Sequence, residues 1–380
     1  SLETVVILAA GEGTRMKSST PKVLHPIAGR TLVGHVLNAV DALSPKNVRV
    51  VVGAGREQVE AHIAEIAPKA VTVFQEKRGG TGHATQLALA GLTPSGTILV
   101  LAGDTPMLTG TSLSQLLAEH HAGGFTASVM TAEHPDPTGY GRIIRGDDAS
   151  LLRIVEERDA DEIQRDIIEV NSGVYAFDAA KLASAIGKLK NDNSQGELYL
   201  TDVIEILRNE GGKIAAVLID DFIEILGVND RVQLAESASL LRDRINEDLM
   251  KSGVTIVDPL STWVDATATI APDVVLAPGT AIHGATTIAS GAVIGPRTTL
   301  IDCTVAANAR VLESQCTEAV IGEGVNVGPY SYLRAGTKLL SGSKVGAYVE
   351  MKNATLGEGS KVPHLSYVGD AIIGEGTNIG

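Results

Sequence analysis

From position 264 the chain reads Val264-Asp265-Ala266-Thr267-Ala268-Thr269-Ile270-Ala271-Pro272-Asp273-Val274-Val275-Leu276, and an aliphatic residue then returns at every sixth position as Ile282, Ile288, Ile294 and Leu300. The period restarts after breaks, first as Ile321, Val327, Leu333, Leu339 and Val345, then as Leu356, Val362 and Val368. Six residues fit neither the 3.6-residue turn of a helix nor the alternation of a hairpin meander. A coil built from short flat faces, by contrast, needs one inward aliphatic per face. The spacing predicts a β-solenoid of hexapeptide repeats. A solenoid normally ends in a polar cap, whereas this sequence stops at Asn378-Ile379-Gly380 inside another repeat, so the natural protein is expected to continue past Gly380.

Upstream of the repeats, Leu234, Ala238, Leu241, Ile245 and Leu249 recur at helical spacing after Asn229-Asp230 and before Gly253. These are the start, stripe and stop of one amphipathic helix, Arg231–Lys251. Before it, short β-branched runs such as Val5–Leu8, Val48–Val52, Val71–Phe74 and Ile98–Leu101 alternate with helical patterns, which predicts βαβ units on a mostly parallel sheet. The expected organisation is an α/β domain over 1–228, a linker helix over 229–252 and the solenoid over 253–380.

Composition narrows the function classes. With 44% apolar and 20% charged residues and a mean hydropathy of +0.15, the 380-residue chain can bury more than one core. A net charge of −14 opposes generic nucleic-acid binding, so a phosphate ligand needs a local site. No apolar run approaches the roughly 18 residues that span a bilayer, and Cys303 and Cys316 lack metal-ligand spacing. A cytoplasmic protein is expected.

The local site follows the first predicted strand: Leu8-Ala9-Ala10-Gly11-Glu12-Gly13-Thr14-Arg15-Met16, then Pro21-Lys22. Glycines at a strand's carboxyl end let backbone N–H groups approach phosphate oxygens, and Arg15 and Lys22 supply charge. The run lacks the Lys-Ser/Thr ending of a P-loop and, with Met16, the third glycine of a dinucleotide fingerprint. A later strand ends in Ala102-Gly103-Asp104, which places Asp104 where open α/β sheets bind ligands. A carboxylate facing a triphosphate acts through a cation, and Mg²⁺ suits both kinds of oxygen.

The loop resembles the signature of sugar nucleotidyltransferases, L-x-x-G-x-G-T-R-(M/L) followed by P-K. Further matches are Gln75 before Gly80-Thr81-Gly82-His83-Ala84, Gly139-Tyr140-Gly141-Arg142-Ile143, Ile154-Val155-Glu156, Glu169-Val170-Asn171-Ser172-Gly173 and Gly227-Val228-Asn229. Together they resemble the bacterial family of bifunctional N-acetylglucosamine-1-phosphate uridyltransferases whose second domain is a glucosamine-1-phosphate acetyltransferase. The resemblance implies that Leu8, Ala9, Ala10, Gly11, Ala102 and Gly103 contact the nucleotide, with Arg15 and Lys22 on the phosphates of UTP. It implies that Gln75, Gly80 and Thr81 read uracil, that Gly141, Glu156 and Asn171 hold N-acetylglucosamine 1-phosphate, and that Asn229 joins Asp104 at Mg²⁺. An amide such as Gln75 donates and accepts in one plane, which suits a pyrimidine edge.

The repeats themselves resemble the left-handed β-helix of hexapeptide acyltransferases, which implies the left hand. Arg334, Lys352, His364, Tyr367 and Asn378 resemble that domain's acetyl-acceptor site, which implies Arg334 and Lys352 on the phosphate of glucosamine 1-phosphate and His364 as base. A hexosamine amine attacks only when neutral, and a group titrating near neutrality suits removal of its proton. The resemblance further implies acetyl-CoA as co-substrate, with its binding residues beyond position 380, and a homotrimer. Two other readings are a different sugar-1-phosphate nucleotidyltransferase with a structural or regulatory tail, and a non-catalytic scaffold; Arg334, Lys352, His364 and Tyr367 argue against the first, and Arg15, Lys22, Asp104 and Asn229 against the second.

Overall fold

Alternation along Val5-Val6-Ile7-Leu8 sets the architecture of the first part of the chain. Val5 and Ile7 enter one core with Val50, Val52, Leu99 and Leu101, while Val6 enters another with Val51, Ile98 and Val100. Successive side chains of a strand point to opposite faces, so a strand that is apolar throughout is one covered on both sides. Residues 1–380 are described by a computed structural model.

The nine strands of this sheet are β1 (Leu2–Ala9), β2 (Asn47–Val52), β3 (Val71–Phe74), β4 (Thr97–Ala102), β5 (Ala127–Glu133), β6 (Arg142–Arg145), β7 (Leu151–Val155), β8 (Glu169–Asp178) and β9 (Ile214–Leu218). Seven of them lie in the order β9-β5-β8-β4-β1-β2-β3, and β6 pairs with β8 and β7. The pairs β1–β2, β1–β4, β2–β3 and β5–β9 are parallel, as the alternating pattern predicts, whereas β8 runs antiparallel to β4, β5 and β6. The chain leaves β1 for β2 on one side and returns through β4 on the other. Their carboxyl ends, with Leu8 opposite Ala102, therefore form the topological switch point where such sheets bind ligands.

By its contacts the chain divides into one unit of Ser1–His25 and Thr31–Ser237, and a second of Pro26–Arg30 and Ala238–Gly380. The helix Arg231–Lys251 thus contributes to both units. The short segment Pro26–Arg30 groups with the second unit, where the Ala28 carbonyl accepts from the Ala266 N–H at 2.8 Å.

The second unit contains three seven-stranded parallel sheets, wound as a β-helix of the left-handed hexapeptide class. One column of inward residues runs Val264, Ile282, Leu300, Cys316, Leu333, Met351, Val368, each paired with the next one coil on. All are buried. The breaks in the six-residue period are shortened turns, and the inward stack continues through them as Val305, Val311, Cys316 and Met351. Each shortened turn contains a residue in the left-handed region: Asp302, Glu313, Glu318 and Asn353. Burying one such aliphatic stabilises by about 1.5–3 kcal/mol, and Cys316 does the same work as a small apolar side chain. No helix of either unit is long and apolar enough to cross a membrane.

Candidate functional site

Both edges of the switch point are backbone turns in close contact. Gly103 N–H donates to the Leu8 carbonyl at 2.9 Å, and a β-carbon on Gly103 would lie 3.0 Å from that of Ala9. After β1 the chain passes through Gly13 in the left-handed region into the turn Thr14–Met16, where Met16 is buried and Arg15 is exposed. Gly13 is required as glycine twice over, since a β-carbon there would stand 2.6 Å from Cβ of Lys22.

Lys22 carries the first charge into the site. Its Nζ donates to Asp104 Oδ2 at 2.6 Å and to Asn229 Oδ1 at 3.1 Å, and the Lys22 and Asp104 side chains are only 11% and 22% exposed. Asn229 is brought there by its backbone, because Val228 N–H donates to the Asp104 carbonyl at 3.0 Å. An ammonium thus occupies the point on which a carboxylate and an amide oxygen converge.

This is the test of whether the residues fit a divalent ion. Two hard oxygen donors already hold one cation, but no group of three or more His, Cys, Asp or Glu is gathered anywhere that could cage one. Such a site suits an ion that keeps waters and takes substrate phosphate oxygens to complete its shell, as Mg²⁺ does. Asp104 and Asn229 fit that ion as two ligands of a larger set.

A cleft of about 330 Å³ opens beside these residues and is lined by Leu8, Ala9, Ala10, Gly11, Lys22, Gln75, Gly80, Thr81, Ala102, Asp104, Glu156 and Asn171. Gly103, Gly141 and Asn229 stand just behind the lining, and Arg15 does not reach it. At one side, Gln75 Nε2 bonds to the Gly80 carbonyl at 3.3 Å and lies 3.0 Å from His83 Nδ1, while Thr81 Oγ1 accepts from Leu200 N–H at 3.0 Å. Gly80 has φ +90°, with the Leu198 carbonyl 2.6 Å from where a β-carbon would be, so this edge is shaped for close approach of backbone.

Across the cleft, Asn171 Nδ2 donates to the Tyr175 hydroxyl at 2.5 Å, and Glu156 Oε1 accepts from Thr201 Oγ1 at 3.2 Å. Burial raises the Glu156 carboxyl above the usual carboxylate range, opposed by the Thr201 hydrogen bond and reinforced by Asp202 and Asp159. Burial likewise pushes Asp202 up to about 6, with Glu205, Asp192 and Asp159 adding to it. Gly141 accepts from Asn171 N–H at 2.8 Å and closes the floor.

Sequence reasoning missed four polar lining residues: Arg78, Tyr175, Glu197 and Thr201. Arg78, which pairs with Glu12 at 3.4 Å, was signalled by its place between Gln75 and Gly80. Tyr175 lies beyond a register shift in β8, so no strand alternation points to it.

In the solenoid, the pairing of Leu333 with Met351 stacks Arg334 and Lys352 one coil apart, and Tyr367 follows on the same sheet, paired with Glu350. Arg334 bonds to Glu350 at 3.3 Å and Lys352 faces Asp370 at 3.8 Å. His364 ends the strand Lys361–His364 of the neighbouring sheet, exposed, three residues before Tyr367. Asn378 pairs with Lys361 one coil further on. The stacking brings Arg334, Lys352 and Tyr367 onto one sheet and sets His364 and Asn378 on the next.

Known proteins match both units. Residues 5–177 match a MobA-like NTP transferase domain. The chain is similar to a bifunctional protein GlmU of Streptomyces coelicolor, with 54% identity over 99% of this chain and 79% of the relative. It is also similar to one of Mycolicibacterium vanbaalenii, with 53% identity over 99% of this chain and 78% of the relative. A crystal structure of UDP-glucose pyrophosphorylase complexed with UDP-glucose superposes with a TM-score of 0.54, covering 64% of this chain and 100% of that one at 17% identity, and shares its fold. With near-complete coverage at more than half identity, the chain belongs to the family of bifunctional GlmU proteins.

Proposed function

We propose that the cleft of the first unit carries the uridyl transfer of UDP-N-acetylglucosamine synthesis, joining UTP to N-acetylglucosamine 1-phosphate with release of pyrophosphate. In the complete protein the solenoid carries the other half, acetylation of glucosamine 1-phosphate from acetyl-CoA. The observation that supports this reading most directly is the convergence of Lys22, Asp104 and Asn229 at the switch point, in one cleft with Gln75, Glu156 and Asn171.

Leu8–Gly11 and Ala102–Gly103 present backbone to the nucleotide, Gln75, Gly80 and Thr81 face its base, and Gly141, Glu156 and Asn171 take the sugar hydroxyls and acetamide. A phosphate oxygen of the sugar phosphate attacks the α-phosphorus, and the bond to the β-phosphate oxygen breaks. That nucleophile is already ionised at neutral pH, so alignment and charge neutralisation suffice and no general base is needed. Lys22, drawn from Asp104 onto phosphate, stabilises charge in the transition state, and Arg15 approaches from its exposed turn. Asp104 and Asn229 would hold Mg²⁺, which neutralises phosphate charge when bound.

In the solenoid, Arg334 and Lys352 grip the sugar phosphate and Tyr367 and Asn378 border it; His364 takes the proton as the amine attacks the thioester carbonyl of acetyl-CoA, whose C–S bond breaks to release CoA. The assembly is a homotrimer, whose closed symmetry prevents open-ended growth. Pyrophosphate release tested with UTP, ATP, CTP and dTTP against several sugar 1-phosphates decides the substrate reading. Selective turnover of UTP with N-acetylglucosamine 1-phosphate supports it, and preference for another pair overturns it.

A further inference from the structure

Asn229 lies on an irregular stretch between the turn Phe222–Ile225 and the helix Arg231–Lys251, so no sheet ladder fixes its side chain opposite Asp104. Asn229 N–H donates to Gln233 Oε1 at 2.8 Å, which holds it to the start of that helix, and the side chain that ties the stretch to the Asp104 turn is Glu224. Its Oε2 accepts from Thr109 N–H at 3.0 Å and from Thr109 Oγ1 at 2.9 Å, and its Oε1 accepts from Ser112 Oγ at 2.8 Å. Thr109 closes the turn that starts at Asp104 and leads into the helix Gly110–Gly123. One carboxylate therefore fastens the Asn229 stretch to the Asp104 turn, and the Val228 N–H bond to the Asp104 carbonyl fastens it at the other end.

Glu224 reaches the start of the helix Gly110–Gly123 from a segment 115 residues away in sequence. Thr109 already caps the helix, its Oγ1 accepting from Ser112 N–H at 3.1 Å. The acid accepts from the cap residue's own N–H as well, and in all makes three charge-assisted bonds that join the two segments. We infer that Glu224 is a positioning residue that clamps the Phe222–Asn229 stretch onto the Asp104 turn and so keeps Asn229 Oδ1 opposite the Asp104 carboxylate. The inference rests on the reading of that oxygen pair as the cation site.

Hydrogen exchange followed by mass spectrometry, and Mn²⁺ binding followed by electron paramagnetic resonance in the presence of UDP-N-acetylglucosamine, test the clamp without turnover. In Glu224→Ala the amides of residues 222–229 exchange at least about tenfold faster while β1 and β4 are unchanged, and Mn²⁺ binds about tenfold more weakly. Glu224→Gln restores both, because its amide oxygen accepts from Thr109 and its NH₂ donates to Ser112 Oγ. Ser112→Ala, which removes the contact to Oε1 and the longer one from Thr109 Oγ1 at 3.2 Å while leaving both Thr109 bonds to Oε2, gives a smaller effect of the same kind and serves if the alanine variant does not fold. Unchanged exchange in these variants, faster exchange with unchanged Mn²⁺ binding, or a glutamine variant as impaired as alanine each overturns the inference. If Asp104→Asn binds Mn²⁺ like the wild type, the cation-site reading fails instead, and the exchange result still decides whether Glu224 is a clamp.

Discussion

Lys22 Nζ and Asp104 Oδ2 are 2.6 Å apart at the carboxyl edge of the sheet, largely screened from solvent. The lysine thereby satisfies the oxygens that, on the proposed reading, take the metal ion. Two cations at that point repel each other, so on the proposed reading Lys22 competes with the metal ion for Asp104 and is drawn toward substrate phosphate.

That competition gives Lys22→Ala opposite effects on binding and on catalysis. Mn²⁺ binds the nucleotide-free variant more tightly than the wild type, because its competitor is gone. Uridyl transfer nevertheless falls by roughly 10²-fold through loss of a transition-state charge contact. Weaker Mn²⁺ binding in the variant would show that Lys22 does not occupy the metal's place.

A pH dependence follows from Asp202, which burial pushes from 3.8 up to about 6. The native state holds this proton more tightly than the unfolded chain, so stability falls as pH rises between those two values and the penalty is fully present above the upper one. Asp202→Asn removes the penalty. Its melting temperature exceeds that of the wild type at about pH 8, and the gap closes as pH falls toward the unfolded carboxylate value. A gap independent of pH, or a variant less stable at high pH, contradicts the assignment.

The solenoid site predicts separable activities. In the complete protein, His364→Ala lowers acetylation of glucosamine 1-phosphate by roughly 10²-fold if the imidazole is the base. Uridyl transfer is unchanged, since His364 and the nucleotide cleft belong to different units. Parallel assays of the two reactions on one preparation check this, and loss of both activities would count against independent sites.

How far the sequence could be read differs between the units for physical reasons. A period of six residues is a local property of the chain, so the solenoid was visible from Val264 to Leu300 without any contact being known. The six-residue spacing breaks after Leu300, Val311, Cys316 and Met351, where turns containing Asp302, Glu313, Glu318 and Asn353 are one residue shorter, and Cys316 and Met351 carry no aliphatic signal although they point inward. In the first unit, the phosphate loop was legible because its glycines and charges are consecutive. Glu224, Thr201 and Tyr175 were not, because their contacts with Thr109, Glu156 and Asn171 arise from crossovers and a register shift that no short window contains. Arg15 shows the reverse case: the motif points to it, while in the turn Thr14–Met16 it is exposed and outside the cleft lining.

The most direct test of the account is the formation of UDP-N-acetylglucosamine from UTP and N-acetylglucosamine 1-phosphate by Asp104→Asn at saturating Mg²⁺. Asparagine keeps the size of the side chain and removes the charge that meets the cation, so the account predicts a loss of at least roughly 10²-fold in turnover with the fold retained. Turnover near that of the wild type would contradict it.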